Sequence, residues 1–240
     1  RFAISSGLMT ASLSQHISEL RSKIGQTSTE ATTGRHEDLT LHLSGRIGKA
    51  MLSQKALTDI STDREVLNLR ATRLSLIQTS LGTVQDSSSG IAANMLSAIG
   101  GEHETEIGIA ARDAKTALSA TLSSLNARYG DRFLFSGDAT ATLPFPDQTA
   151  LLSDLELIAE TATDAADFKT QLDDYFNSPT GGWLQNIYKG SPTASDAESV
   201  TADNAAIKSL ISDLAVLAIS GPEGSLATLS GYSDLVQETS

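Results

Sequence analysis

KAMLSQKALTDISTDREVLNLRATRLSLIQTSLGTVQDSSSGIAANMLSAI, residues 49–99, is the stretch on which the fold turns. It holds no proline, and glycine only at Gly82 and Gly90. Apolar residues return every seven positions at Ile60, Leu67, Leu74, Leu81 and Met95, with Ser88 in the one polar slot. A second row, Ile77, Val84, Ile91 and Ala98, keeps the same interval. A seven-residue apolar period makes a seam of the coiled-coil type. A continuous helix here, at ~1.5 Å per residue, would reach roughly 75 Å. The stretch therefore predicts an elongated, antiparallel helical rod in a mainly α protein.

Outward on the N-terminal side, residues 35–48 break the pattern. Leu39, Leu41 and Leu43 alternate with polar residues, a period of two that predicts a short extended segment. Before it, residues 5–32 read as an amphipathic helix. Leu13, Ile17, Leu20, Ile24, Ser28 and Ala31 recur at spacings of three and four and share one narrow face. Alone such a helix is marginal, so it requires a partner helix. Leu13, Ile17, Leu20 and Ile24 are the candidate assembly interface.

Outward on the C-terminal side, Gly100-Gly101 ends the rod. Residues 104–128 make a return helix on the stripe Ile107, Ala111, Ala114, Leu118, Thr121 or Leu122, and Leu125, with Glu102, Glu104 and Glu106 at its start to suit the helix dipole. The short connection makes it antiparallel to the rod. Residues 132–136 then read as a strand, with a turn at Gly137-Asp138 and a returning strand at 141–145. Beyond lie shorter helices at 151–162, 165–176, 201–219 and from 226 onward. Ser153 or Asp154 is expected near the cap of the first. Trp183, with Phe168, Tyr175, Phe176 and Tyr188, is expected to anchor a local core.

Charge divides the chain further. Net charge is −12. Residues 1–75 hold ten basic and seven acidic side chains, +3, whereas residues 138–240 hold three and sixteen, −13. Only Phe2 precedes Tyr129 among the aromatics. The expected organisation is a terminal export and assembly helix at 1–35, a rod domain with its hairpin at 36–146, an acidic outer domain at 147–200, and a helical return at 201–240. An acidic chain without a basic cluster excludes nucleic acid and anionic membranes as partners. No apolar run reaches the roughly 20 residues of a membrane span, and residues 1–20 have neither an apolar stretch nor a small-residue cleavage site of a signal peptide.

Chemistry is absent from the pattern. Cysteine is missing, which excludes disulfides and thiolate sites. No Walker loop, dinucleotide-binding glycine run or nucleophile elbow occurs. His16, His36, His42 and His103 form no pair at ligand spacing and read as surface or loop residues. The pairs Asp164/Asp167 and Asp173/Asp174 read as a solvated face. No enzyme, metal or cofactor is expected. What remains is interface.

One segment carries a resemblance. LNARYGDRFLFSGDATATLPF, residues 125–145, contains Asn126, Tyr129, Gly130, Phe133, Phe135, Ser136, Gly137, Pro144 and Phe145 in order. With the opening helix, the TGRH turn and the long rod, this resembles the flagellin family, and within it the hook–filament junction proteins, also called hook-associated proteins. The resemblance spans residues 1 to about 146 and is loose beyond. It implies a structural, self-assembling subunit of the bacterial flagellum, acting in motility and joining hook to filament. It also implies export through the flagellar secretion system by an uncleaved N-terminal signal, with an export chaperone, to a place outside the cell. The implied partners are other axial proteins (hook-associated proteins and flagellin) and copies of itself. The family's C-terminal helix, which pairs with the N-terminal one, is expected to be missing from a chain that stops at Ser240. A filament subunit of the same family is the nearer alternative; a cytoplasmic helical signalling or scaffold module is the more distant one.

Overall fold

The structure, a computed structural model, describes residues 6–35, 47–196 and 198–240, with the side chains of the first helix described from Ala11 onward. In chain order its elements are α1 (Ser6–Thr33), α2 (Ile47–Ser88), α3 (Ile91–Gly100), α4 (Glu104–Leu125), β1 (Arg128–Tyr129), β2 (Arg132–Phe133), α5 (Ala150–Thr161), α6 (Ala165–Asn177), a π-helical turn (Trp183–Ile187), α7 (Ala205–Ile219), a 3-10 turn (Ser225–Thr228) and α8 (Tyr232–Thr239). The chain is mainly helical, as its periodicity predicts. Packing divides it into Arg1–Val66 and Leu67–Ser240. The extended segment expected at 39–43 lies outside the described residues.

In Arg1–Val66, α1 and the first part of α2 are helices without a core. Their threonines turn back on the helix. The hydroxyls of Thr27, Thr32, Thr58 and Thr62 donate to the carbonyl four residues earlier at 2.7–3.0 Å. Lys55 and Asp59 pair across one turn at 2.7 Å. Such exposed pairs contribute only about 0.3–0.5 kcal/mol each.

Leu67–Ser240 holds the buried core. At its centre α4 lies against α7. Helix α7 is apolar around most of its girth, burying Ile211, Leu214, Ala215, Val216, Leu217 and Ile219, which is the signature of a central helix. Helix α4 meets its neighbours with Ala110, Ala111, Ala114 and Ala117, small enough for close approach, and with Leu118, Leu122 and Leu125. Each of those leucines contributes roughly 1.5–3 kcal/mol by leaving water. Helix α3 and α8 pack together at one side, and α5, α6 and the π-turn close the other. The apolar cluster runs without interruption from Ile77 to Val236. The charge boundary at 146/147 therefore falls inside a single core: Phe145 and Trp183 are in contact, with ring centroids 5.7 Å apart.

Three local expectations need correction. The rod helix is not continuous to residue 99. It ends at Ser88, the polar slot of the first heptad row. There the hydroxyls of Ser87, Ser88 and Ser89 capture the carbonyls of Val84, Gln85 and Asp86 at 2.9–3.1 Å, and Gly90 takes a left-handed conformation, φ 82°. The hairpin is not at 132–145 but pairs Arg128 with Phe133 and Tyr129 with Arg132 around Gly130-Asp131. The chain after Gly137 does not return as a strand, because Phe133 N–H already donates to Thr140 C=O at 2.7 Å in a tight loop. Helix α5 is capped neither by Ser153 nor by Asp154. Asp147 Oδ1 accepts the N–H groups of Thr149 and Ala150 at 3.0 and 3.2 Å.

Candidate assembly surface

The interface residues chosen from the sequence are uncovered. Leu13, Ile17, Leu20 and Ile24 are 62, 47, 59 and 65% exposed along one face of α1. On α2 the exposed apolar residues continue through Ile47, Met51, Leu52, Leu57, Ile60 and Val66. Single exposed leucines are ordinary, but a run of this length over two consecutive helices is not. Covering such a side chain stabilises by roughly 1.5–3 kcal/mol. From the sequence, residues 1–35 without a partner helix are expected to be disordered or borrowed into a neighbouring chain; here residues 6–33 are helical with the stripe bare.

Within Leu67–Ser240 the two heptad rows of residues 49–99 have different fates. Ile77, Val84, Ile91 and Ala98 are all buried, whereas of the first row Met95 is buried and Leu67 and Leu74 are exposed. The row that faces the core is Arg70, Arg73, Ile77, Ser80 and Val84, spaced three and four apart.

The motif of residues 126–145 is a brace. Asn126 caps α4, and its side-chain amide spans 19 residues. Nδ2 donates to Phe145 C=O, and Oδ1 accepts Phe145 N–H, both at 2.9 Å. An amide placed this way imitates a strand partner and holds the loop end to the helix end. Phe135, Ser136 and Phe145 are fully buried, and Pro144 is buried with them. Ser136 donates its hydroxyl to Thr142 C=O at 2.6 Å, while its own carbonyl accepts Ser191 N–H at 2.8 Å. Gly137 has φ 57°, and a Cβ there would collide with the carbonyl oxygens of Ser191 and Thr193, so only glycine fits. Tyr129, Gly130 and Phe133 belong to the hairpin and stay partly exposed, with the Arg128 guanidinium 5.8 Å from the centre of the Phe133 ring.

The brace reaches directly into the acidic segment. Tyr188 OH donates to Phe135 C=O at 2.9 Å and lies 2.9 Å from the Thr201 hydroxyl. Burial pushes this phenol above its usual range. Trp183 is fully buried and stacks near-parallel on Tyr188 at 5.9 Å, with Phe176 at 5.4 Å on another side. Its indole N–H donates to Asp203 Oδ1 at 2.9 Å, and Lys208 pairs with the same carboxylate at 3.2 Å. Asp138 accepts Ser195 N–H, Ser195 OH and Thr193 OH. These bonds, the backbone one first, hold its carboxyl below the ordinary range.

Among the described residues no group of three His, Asp or Glu side chains is placed to hold a metal. The clefts are open troughs between helices, the first of about 520 Å³ with Glu104, Arg112, Lys115 and Glu223 on its walls. His16 and His103 sit exposed beside Glu19 and Glu106; His36 and His42 lie outside the described residues. Asp164 caps α6 by accepting Asp167 N–H at 2.9 Å, Asp167 accepts Thr163 N–H, and Asp173 accepts the Asn177 amide. Tyr175 donates to Asp154 at 2.7 Å, and burial pushes its hydroxyl well above the ordinary tyrosine range.

Sequence reasoning missed one feature: Glu198, from the acidic segment, pairs with both Arg70 and Arg73 of α2. Two arginines three apart, in line with Ile77 and Val84, were the available signal. No helix of the described residues is long and apolar enough to cross a membrane. No family model matches this sequence, and neither a curated protein nor a solved structure does.

Proposed function

We propose that this chain is an axial structural subunit of the bacterial flagellum, built around an elongated antiparallel helical rod and joining hook to filament. The observation that carries this reading is the uncovered apolar face of α1 and of the first part of α2, from Leu13 to Val66. A long apolar stripe with no cover among the described residues is what a subunit completed by its neighbours requires. The resemblance of residues 125–145 adds the family, and the absence of cysteine suits a chain exported unfolded to an oxidising exterior. Its partners are copies of itself and other axial proteins. It works outside the cell, and neither catalysis nor a cofactor enters the proposal.

Immunogold labelling of isolated flagella tests the reading. Label confined to the hook–filament boundary supports it. Label along the whole filament replaces it with a filament subunit. Protein retained in the cytoplasm of export-competent cells overturns both, leaving a helical scaffold module. Deleting residues 2–30 is expected to abolish export, and normal secretion of that variant would remove the N-terminal signal from the proposal.

A further inference from the structure

The core-facing row of α2 changes chemistry along its length. Val84, Ser80 and Ile77 are buried against the apolar cluster. One turn earlier the same row becomes Arg73 and then Arg70. Neither can bury its head in an apolar core, since an unpaired buried cation costs several kcal/mol. Glu198 answers both. Its side chain is only 10% exposed, one oxygen pairs with Arg70 Nε, and the other lies 3.2 Å from Arg73 Nη1. Arg73 is itself 21% exposed, and its Nε is buried without a partner among the described residues. The carboxylate of Glu198 is thus the main compensation for a half-buried guanidinium.

Glu198 is in turn held in place. Its N–H donates to Asp196 Oδ1 at 3.2 Å, and Arg132 of β2 pairs with Asp196 at 3.2 Å and with the Ser199 hydroxyl. The hairpin therefore positions the carboxylate that grips α2. Before Arg70 the row has no comparable anchor: Val66 and Leu67 are exposed.

We infer that Glu198, clasping Arg70 and Arg73, is an electrostatic latch that fixes how much of α2 is held to Leu67–Ser240. With the latch closed, the held part starts near Arg70. With it open, the held part starts at the first apolar anchors, Leu76 and Ile77, and nearly two further turns of α2 are released. The device is independent of the assembly reading above.

Hydrogen exchange on the full chain, read by mass spectrometry, tests it. In Glu198→Gln, amides of residues 67–76 are expected to exchange at least about tenfold faster, with residues 77–88 unchanged. In the unaltered chain, raising salt from ~0.01 to ~1 M shortens the screening length from about 30 to 3 Å. Arg70 is half exposed, so exchange at 67–76 is expected to rise with salt, and this dependence to vanish in Glu198→Gln. Equal exchange at 67–76 in variant and parent overturns the latch. So does a joint rise across 67–88, which would make Glu198 a general stabiliser of the core. If Glu198→Gln does not fold, the salt series on the unaltered chain decides by itself: a flat response at 67–76 overturns the proposal.

Discussion

Residues 47–66 and 77–88 belong to one helix and are written in one vocabulary of leucine, isoleucine, serine and threonine, yet the first stretch is bare and the second buries one face, Ile77, Ser80 and Val84. Periodicity is the same in both. The difference lies in what the rest of the chain offers. Residues 77–88 place Ile77 and Val84 in the apolar cluster of Leu67–Ser240, whereas Leu57 and Ile60 are exposed. A heptad row therefore announces a face and says nothing about who covers it. It does not even select the face reliably, since the row through Leu67 and Leu74 is exposed while Arg73 sits in line with the core.

The strongest way to sharpen this contrast is Trp183→Ala. The indole is fully buried among Phe145, Phe176 and Tyr188, so the loss is expected to cost about 3–5 kcal/mol. Because the apolar cluster is continuous, calorimetry should show one transition for Leu67–Ser240 moving down as a whole. Two separate transitions would restore an independent acidic domain. Next in size is the pair Ile77→Ala and Ile60→Ala. The first is expected to cost about 2–4 kcal/mol by chemical denaturation, the second under ~0.5. Similar losses at both sites would mean that residues 47–66 are covered after all.

Asn126→Ala leaves the N–H and C=O of Phe145 unpaired at a buried position. A loss of roughly 1–3 kcal/mol is expected, and Asn126→Asp, which keeps the acceptor only, should fall between. If both variants match the parent in denaturation midpoint, the brace has no energetic role.

Acidity tests the acidic segment more gently. Asp138, Asp147, Asp167 and Asp196 accept local hydrogen bonds and titrate below their ordinary values. Each contributes stability that is present above the unfolded value near ~4 and is lost as pH falls through the lower folded value. Asp213 has the opposite sign: burial raises it, so its penalty is full at neutral pH and is relieved on acidification. Asp213→Asn should raise Tm at pH 7, with a gain that shrinks toward acid; a gain independent of pH would break this account. The smallest expected effect on the core is that of the Ile17→Asp and Leu20→Asp pair, within ~0.5 kcal/mol, even as attachment to isolated hook–filament structures is lost. A clear drop in core stability would show that α1 already packs within its own chain.

By itself the sequence determined the helices, their polar and apolar faces, and the aromatic cluster around Trp183, because each follows from local spacing and side-chain size. It also singled out Asn126 and Phe145 by resemblance, although their hydrogen-bonded bridge could not be read from residues 19 positions apart. The tertiary structure decided the rest. It ended α2 at Ser88, where serine hydroxyls bond back to the last carbonyls and Gly90 turns left-handed, although the heptad allowed the helix to continue. It moved the hairpin to Gly130-Asp131, because Phe133 N–H pairs with Thr140 C=O in a tight loop and residues 141–145 do not return as a strand. It joined the acidic segment to the residues before it through Phe145, Tyr188 and Glu198, contacts that connect residues 38 to 128 positions apart. Local spacing carries no record of such distant partners, because they depend on which faces meet when the whole chain buries its apolar surface.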